Sequence, residues 1–553
     1  MAIAEETIRA YALENALEHG KTNEGIIINK LFNEGLEREG IRDIMPLVKK
    51  VVKEVNSWNQ KKQIEEFEKI AHLVKKREVK EGLHELEDIE RKIVMRIAPY
   101  PSGPLHIGNC RQMILNDEYV KKYRGKLLFV IDDTIGSEEK AIAPDAYKLI
   151  PEGLDWLKIN YEKPIIYKSD RLEIYYKYAE QLISLGKAYV CSCSQEIIRD
   201  NRARGIECGC RLYPVEKQLE RWKQMFKSKQ GSFTLRLKTD MQHPDPAFRD
   251  RVLFRISERE HPRVGKKYRV WPLLEFSWAI DDHLLGITHI IRGTDLFIES
   301  KVEEFIWQIF KWPSPVLIHT GLLEIEGVKL SKSKGQKEVQ EGRYIGWNDP
   351  RLWSLQSLRD RGIQPEAIRT FCLSFGLTKS ETTVPVNALY SYNQKLIENS
   401  RRYFFIQDPV KIKIEKAPEL LIQAPLHPAL KLGFRDFKTK DEFFVSKKDY
   451  ELLGKSGNFR LMHLFNIKSS GNSFKFVSKE VDKKLDAKFI HWVPAEDNIK
   501  ASVRMPDGII HKGLCESNIK SLKIGDIIQF ERFGFCRFYS KEKGNYEFWL
   551  AHE

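Results

Sequence analysis

Residues 92–134, KIVMRIAPYPSGPLHIGNCRQMILNDEYVKKYRGKLLFVIDDT, decide the fold. The stretch opens with KIVMRIAP, a short apolar run suited to a strand buried on both faces. It breaks at the Pro- and Gly-rich turn YPSGPLHIGN, then resumes with helical spacing in RQMILNDEYVKKYRG. KLLFVIDD is a second buried strand. Strand, tight turn, helix and strand form a βαβ unit, hence a parallel sheet covered by helices and an α/β fold class. Gly103 and Gly108 let backbone approach a ligand closely, and a helix starting near Asn109 points free N–H groups at that space. Phosphate suits such a place, and His106 adds a donor.

Outward from this unit the texture changes on both sides. Before it, IRAYALENALEHG, IMPLVKKVVKEVNSW and the charged run from residue 63 to 92 read as a helical module over 1–90. After it, strand and helix alternate to about residue 345, interrupted over about 190–270 by an irregular insert. Residues 346–400 read as helical. From 401 to 553 come short β runs separated by turns, including FKFVSKEV, KFIHWVP and IGDIIQFERFGFCRFY, as a β-barrel region requires.

The 553 residues carry 92 Lys plus Arg against 78 Asp plus Glu, a formal charge of +14, with 42% hydrophobic and 31% charged residues. This is a folded globular composition and excludes a chain disordered throughout. Residues 401–553 hold 28 basic and 20 acidic residues, just over half of the excess. A nucleic-acid backbone and a well-solvated surface both fit that surplus. No apolar run approaches the ~18 residues of a membrane span, and the N-terminus lacks the apolar core of a signal peptide. No membrane partner and a cytoplasmic location are therefore expected.

Two further segments carry chemistry. VKLSKSKG at 328–335 is a cationic loop in which Lys332, flanked by Ser331 and Ser333, can reach a triphosphate; a solvated charged turn is the plain alternative. Cys191 and Cys193 are followed after 14 residues by Cys208 and Cys210. Two C-x-C pairs in a reducing compartment fit a closed tetrahedral zinc site of structural type. Reduced packing thiols are the alternative, because the commoner spacing is C-x₂-C. Cys110, Cys372, Cys515 and Cys536 stand alone and read as packing residues.

HIGN at 106–109 and KLSKS at 329–333, in this order, resemble the two signature sequences of class I aminoacyl-tRNA synthetases, His-Ile-Gly-His and Lys-Met-Ser-Lys-Ser. RIAPYPSGPLHIGN, LNDEYVKKYRGKLLFVIDDT, WAIDDHLLGITHIIRGTD and GWNDPRLWSLQSLRDRGIQPEAIR extend the similarity to the glutamyl-tRNA synthetase family of archaeal type, across roughly residues 90–400. The resemblance implies a Rossmann-type catalytic domain over 91–345 with an inserted subdomain that holds the tRNA acceptor end. It also implies a helical connection at 346–400 and an anticodon-binding β-barrel region at 401–553. The implied activity is glutamate–tRNA ligation with ATP and Mg²⁺, tRNA(Glu) as acceptor and tRNA(Gln) as a further candidate.

Carried onto this chain, the catalytic residues are His106, Gly108, Asn109 and Lys332. ATP is held by Gly103, His106, Gly108, Leu322, Leu323, Ser331, Lys332 and Ser333. Glutamate is held by Arg96, Ala98, Asp132 and Arg292, with Asp132 on the ammonium group and the arginines on the carboxylate. An arginine fork matches a carboxylate and clashes with an amide donor, so glutamate is expected over glutamine.

The chain departs from the family at Asn109 for the second signature His, at Val130, at Ile135, and at Leu274 and Trp278 beside the amino-acid pocket. A glutaminyl enzyme and a non-catalytic RNA-binding relative are the competing readings. In the tail, aromatics interleave with basic residues over 530–549, FERFGFCRFYSKEKGNYEFW. Base stacking on the barrel surface and packing in its core both fit that string. The resemblance favours the first.

Overall fold

Four helices build the first of two units, Met1–Gly82: α1 (Glu5–His19), α2 (Glu24–Leu31), α3 (Ile41–Ser57) and α4 (Gln60–Ile70). Val48, Val51, Val52 and Val55 recur at helical spacing on α3 and are buried together with Ile8, Leu13, Ile27 and Leu31. Asn23 and Asn59 accept from the backbone N–H of Ile26 at 3.0 Å and Lys62 at 2.9 Å, closing the first turns of α2 and α4. The computed structural model describes residues 3–36, 40–74, 83–135, 141–328, 335, 338–339 and 341–553. No helix among them is long and apolar enough to cross a membrane.

The second unit, Leu83–Glu553, contains the βαβ unit as β1 (Val94–Ile97), α5 (Ile107–Lys122) and β2 (Lys126–Ile131). After α6 (Ala146–Trp156), β3 (Glu162–Tyr167) joins in parallel on the far side of β2. A second parallel pair comes from later in the chain, β8 (His289–Gly293) and β9 (Val316–Thr320). The Val94 carbonyl accepts from Thr288 N at 2.9 Å on the edge of β1 that faces away from β2. The strands therefore read β3-β2-β1-β8-β9, and chain order reverses direction between β1 and β8. Ligands of such sheets gather at the carboxyl ends of the strands that flank this switch point.

Residues 83–90 pack on this sheet. Leu86 is buried, its N–H donating to Tyr123 Oη at 2.9 Å, and the Glu87 carbonyl accepts from His289 Nε2 at 2.8 Å.

Between β3 and β8 the chain makes α7 (Leu172–Ser184), β4 (Ala188–Cys191), α8 (Gln195–Arg204), α9 (Val215–Met225), β5 (Thr234–Leu237), β6 (Val252–Ile256), β7 (Val270–Pro272) and α10 (Leu274–Leu284). The four strands β4 to β7 form an antiparallel sheet in sequence order around Trp222, Phe254 and Trp271. α11 (Phe297–Phe310) then links β8 to β9, and β10 (Leu323–Ile325) follows. Helices Leu355–Arg361, Pro365–Leu373 and Val386–Ile397 lead into the tail.

The tail is two seven-stranded sheets and a two-stranded antiparallel pair, Leu420–Pro425 with Phe434–Thr439. In the first, Arg401–Tyr403 pairs with Ile527–Phe530 at one edge, and Phe405–Gln407 pairs with Ile510–Glu516 at the other. One continuous segment thus supplies both edges and closes the sheet on itself. The second sheet lies inside the first in sequence. Lys488–Ile490 pairs with Gly457–Leu461, and Val493–Pro494 pairs with Glu442–Ser446. Again one segment serves both edges. Arg361, with no exposed surface, ties the first barrel to its helix by donating to the carbonyls of Leu550 at 3.2 Å and Ala551 at 2.9 Å.

The base-stacking expectation for 530–549 is corrected here. Phe530, Phe535, Phe538, Tyr546, Phe548 and Trp549 are all buried. Phe530, Phe538, Tyr546 and Phe548 form the barrel core, Phe535 packs in the core cluster of the catalytic domain, and of the string's aromatics only Phe533 and Tyr539 stay half-buried. The four isolated cysteines are buried and form no disulfide among the described residues, as packing residues should.

Candidate active site

A cavity of about 500 Å³ opens at the carboxyl ends of β1 and β8, at the switch point. Arg96, Ala98, His106, Gly108, Asn109, Arg292 and Leu322 line it, so one space gathers these sequence-predicted positions. Gly103, Asp132 and Leu323 do not border it. Lys332, Ser331 and Ser333 lie outside the described residues.

The turn after β1 is pinned from a distant part of the chain. Ile107 N donates to the Trp353 carbonyl at 3.2 Å, and Leu355 N donates to the Leu105 carbonyl at 2.9 Å. Gly103 sits at φ +152°, and a Cβ there would lie 2.9 Å from the Trp347 ring, so glycine lets that indole close over the turn. At the start of α5, Asn109 Oδ1 accepts from the His106 N–H at 3.3 Å. The amide therefore satisfies a donor that would otherwise be unpaired at the helix start, which is a capping task asparagine performs well. α5 is held at depth by Arg111, fully buried, whose guanidinium donates to the carbonyls of Gly321 at 2.8 Å and Gly376 at 3.0 Å.

Both arginines stand on the cavity wall with a buried carboxylate behind them. Arg96 forks onto Asp282 of α10, Nη2 to Oδ2 at 2.8 Å, and its guanidinium lies 3.5 Å from the centroid of Trp278. Arg292 forks onto Glu303 of α11, Nη1 to Oε1 at 2.9 Å. Burial works against the charge on Arg292, and Glu303 more than restores it. Arg292 Nε donates to no acceptor among the described residues. Each guanidinium keeps donors beyond those its carboxylate occupies.

Asp132 is placed differently. Its carboxylate accepts from Lys168 Nζ at 3.1 Å and from Thr134 Oγ1 at 3.2 Å, away from the cavity. The neighbouring acids are also committed: Asp133 accepts from Ser169 N and Oγ at 2.8 and 2.7 Å, and Asp281 from Arg171 Nε at 2.8 Å and Tyr175 Oη at 2.5 Å.

Sequence reasoning missed Asp282, Glu303 and Lys168 as partners. Glu303 had left a signal, because it shares the buried face of α11 with Ser300, Ile306 and Trp307. An acid on an apolar stripe needs a buried cation. Lys168 directly follows an otherwise ordinary strand and gave none.

In the insert the four paired cysteines converge, their sulfurs all within 4.8 Å of one another. Cys193 Sγ is 3.2 Å and Cys191 Sγ 3.6 Å from Cys208 Sγ. Sulfurs around a tetrahedral ion with Zn–S ~2.3 Å stand roughly 3.8 Å apart, so the donor set and its spacing fit such an ion. Two cations face the cluster: Arg221 Nη2 is 3.7 Å from Cys210 Sγ and Arg236 Nη1 is 3.8 Å from Cys191 Sγ. Burial raises the Cys193 and Cys208 thiols, and it opposes a thiolate at Cys210 too, but there hydrogen bonds from Ser192 and the nearby Arg221 bring the thiol down to about 7.

Comparison with known proteins matches residues 92–399 to the catalytic domain of class I tRNA synthetases (E and Q). Residues 400–489 and 489–539 match two anti-codon binding domains of the same synthetases. The glutamate–tRNA ligase of Pyrococcus furiosus is 46% identical over 554 residues, covering 95% of this chain and 96% of that protein. That of Methanocaldococcus jannaschii is 40% identical over 563 residues, covering 99% and 100%.

Proposed function

Since the chain belongs to the class I tRNA synthetases of the glutamate and glutamine (E and Q) group, we infer that it is a glutamate–tRNA ligase. It activates glutamate with ATP to glutamyl-adenylate, releases pyrophosphate, and transfers the glutamyl group to the 3′ end of tRNA(Glu), releasing AMP. The observation that carries this reading is the pairing of two cavity-lining guanidiniums, Arg96 and Arg292, with the turn that starts α5.

The two halves of the cavity divide the work. A side-chain carboxylate brought out of water needs a cation and hydrogen-bond donors, and the two arginines supply both. Ala98 gives the wall between them no bulk. The substrate's α-carboxylate attacks the α-phosphorus of ATP, so no enzyme nucleophile is required. Catalysis rests on alignment and on stabilising the charge that develops on pyrophosphate. His106 and the backbone at Gly108 and Asn109 face the phosphates, with Gly103 shaping their turn and the Leu322–Leu323 backbone against adenine. Lys332 with Ser331 and Ser333 neutralises the leaving pyrophosphate. ATP enters as its magnesium complex.

The four-cysteine cluster holds a structural zinc ion. Four thiolates leave it no open position for a substrate, so it braces the insert that grips the acceptor end. The barrels read the anticodon, and the enzyme works in the cytoplasm, in keeping with eight cysteines that form no disulfide among the described residues.

ATP–pyrophosphate exchange with glutamate and with glutamine, each with and without tRNA, tests the assignment. Glutamate should support exchange and glutamine should not. Exchange with glutamine alone overturns the reading, and charging of tRNA(Glu) and tRNA(Gln) transcripts then settles the acceptor.

A further inference from the structure

Lys168, the residue after β3, has no exposed side-chain surface. Its ammonium donates to Asp132 Oδ2 at 3.1 Å and to Ser277 Oγ at 2.7 Å, and stands 3.5 Å from the centroid of the Trp278 indole. The same indole carries the Arg96 guanidinium, also at 3.5 Å. Arg96 and Trp278 border the cavity, whereas Asp132 and Lys168 do not. A line of contacts thus runs from Asp132 through Lys168 and Trp278 to the guanidinium that faces the substrate. Burial lowers the Lys168 ammonium's hold on its proton, and Asp132 and Asp281 counter it.

Asp132 is where the family resemblance puts the substrate's ammonium. An ammonium tethered to the chain at hydrogen-bond distance competes for that carboxylate at a far higher effective concentration than a free amino acid. We propose that Lys168 is a positioning residue of the amino-acid pocket: it takes the Asp132 carboxylate in place of the substrate's ammonium and, through Trp278, fixes the Arg96 guanidinium. This inference rests on the reading of the cavity as an amino-acid-activating site. Within it, Asp132 acts on the substrate only through Lys168. The Trp278 departure from the family then has a physical reason, because the indole face joins the buried ammonium to the guanidinium at the wall.

The test is a double-mutant cycle of Lys168→Met and Asp132→Asn in the full chain. Exchange is followed with whichever amino acid the wild type activates, reading KM for amino acid and ATP separately together with the melting temperature. Each single variant leaves one buried charge without its partner. Each should raise KM for the amino acid by roughly 10–100-fold while KM for ATP stays within about threefold. The double variant has no unpaired charge and should recover the part of the loss that Asp132→Asn adds, ending no worse than Lys168→Met alone, a strong non-additivity, while the loss of the Lys168–Trp278 contact remains. It also provides a folded reference should either single variant be too unstable to purify.

If Asp132→Asn costs as much beside Lys168→Met as alone, Asp132 meets the substrate directly and the proposal fails. It fails equally if Lys168→Met lowers the amino-acid KM, or if the variants shift melting and leave KM unchanged. A wild type that activates an amino acid other than glutamate would overturn the assigned specificity while leaving this cycle decisive.

Discussion

Arg292→Ala removes one half of a pair whose other half cannot reach water. The Glu303 side chain has no exposed surface, and Arg292 itself is 6% exposed. Leaving one partner of a buried ion pair uncompensated costs about 3–5 kcal/mol of stability. The cost should depend on pH with a definite sign. Burial already holds the Glu303 carboxyl above its ordinary range, with Arg292 pulling it back. Without Arg292 the upward displacement grows. The folded variant then binds that proton more tightly than the unfolded chain does, so stability falls as pH rises above about 4.3 and recovers as pH falls toward it. Melting followed by scanning fluorimetry should show a deficit against wild type that shrinks between about pH 8 and about pH 5.

Activity supplies the second half of the test. Losing a desolvated charge-assisted contact should cost about 3 kcal/mol, or roughly two orders of magnitude in kcat/KM for glutamate, in ATP–pyrophosphate exchange. KM for ATP should change by no more than about threefold. Glu303→Gln, which keeps an acceptor and the cavity-facing guanidinium, should lose much less. A variant with wild-type glutamate kinetics, or one whose losses fall equally on ATP and glutamate with no pH-dependent deficit, refutes the role given to Arg292.

Purified protein should hold about one zinc per chain, and Cys208→Ser should release it, raising KM for tRNA more than KM for ATP; active protein free of metal would end that assignment. Arg361→Ala leaves the carbonyls of Leu550 and Ala551 without their donor, a loss of about 2–4 kcal/mol. Limited proteolysis should then release the tail sooner, while KM for ATP stays unchanged. Lys332→Ala should slow adenylate formation by roughly 10²–10³-fold, with transfer from preformed adenylate far less affected; equal loss in both steps would make that loop structural.

Short-range patterns carried the βαβ unit, because an unbroken apolar run, a glycine turn and a helical repeat all fall within residues 92–134. They also carried the paired cysteines, whose spacing is itself the signal. They did not carry the charge partners. Arg96 and Asp282 are 186 residues apart, and Lys168 meets Asp132 and Ser277 only because β2, β3 and α10 converge. The aromatic string at 530–549 was ambiguous for a different reason. Inward alternation on a barrel wall and outward alternation on its surface give the same period of two, and a string alone cannot say which face is inside.

The nested closure of the two barrels sets an order of events during synthesis. The inner barrel, 409–494, has every strand it needs before residue 498 is added. The outer one does not. Residues 401–407 emerge early, yet their partners lie at 510–516 and 527–530. At ~5–20 residues per second the ribosome takes on the order of 3–11 s to pass from 498 to 553. Until 510–516 and then 527–530 are added within that interval, the edges of 401–407 lack their mates, and such edges are what other nascent chains pair with. A ribosome that stalls inside the strand Asn545–His552 therefore does more than leave a barrel edge open. It withholds the carbonyls that Arg361 grips, and Arg361 ends the helix whose first turn pins the His106 loop. The last strand of the outer barrel thus helps decide when the first signature is fully braced.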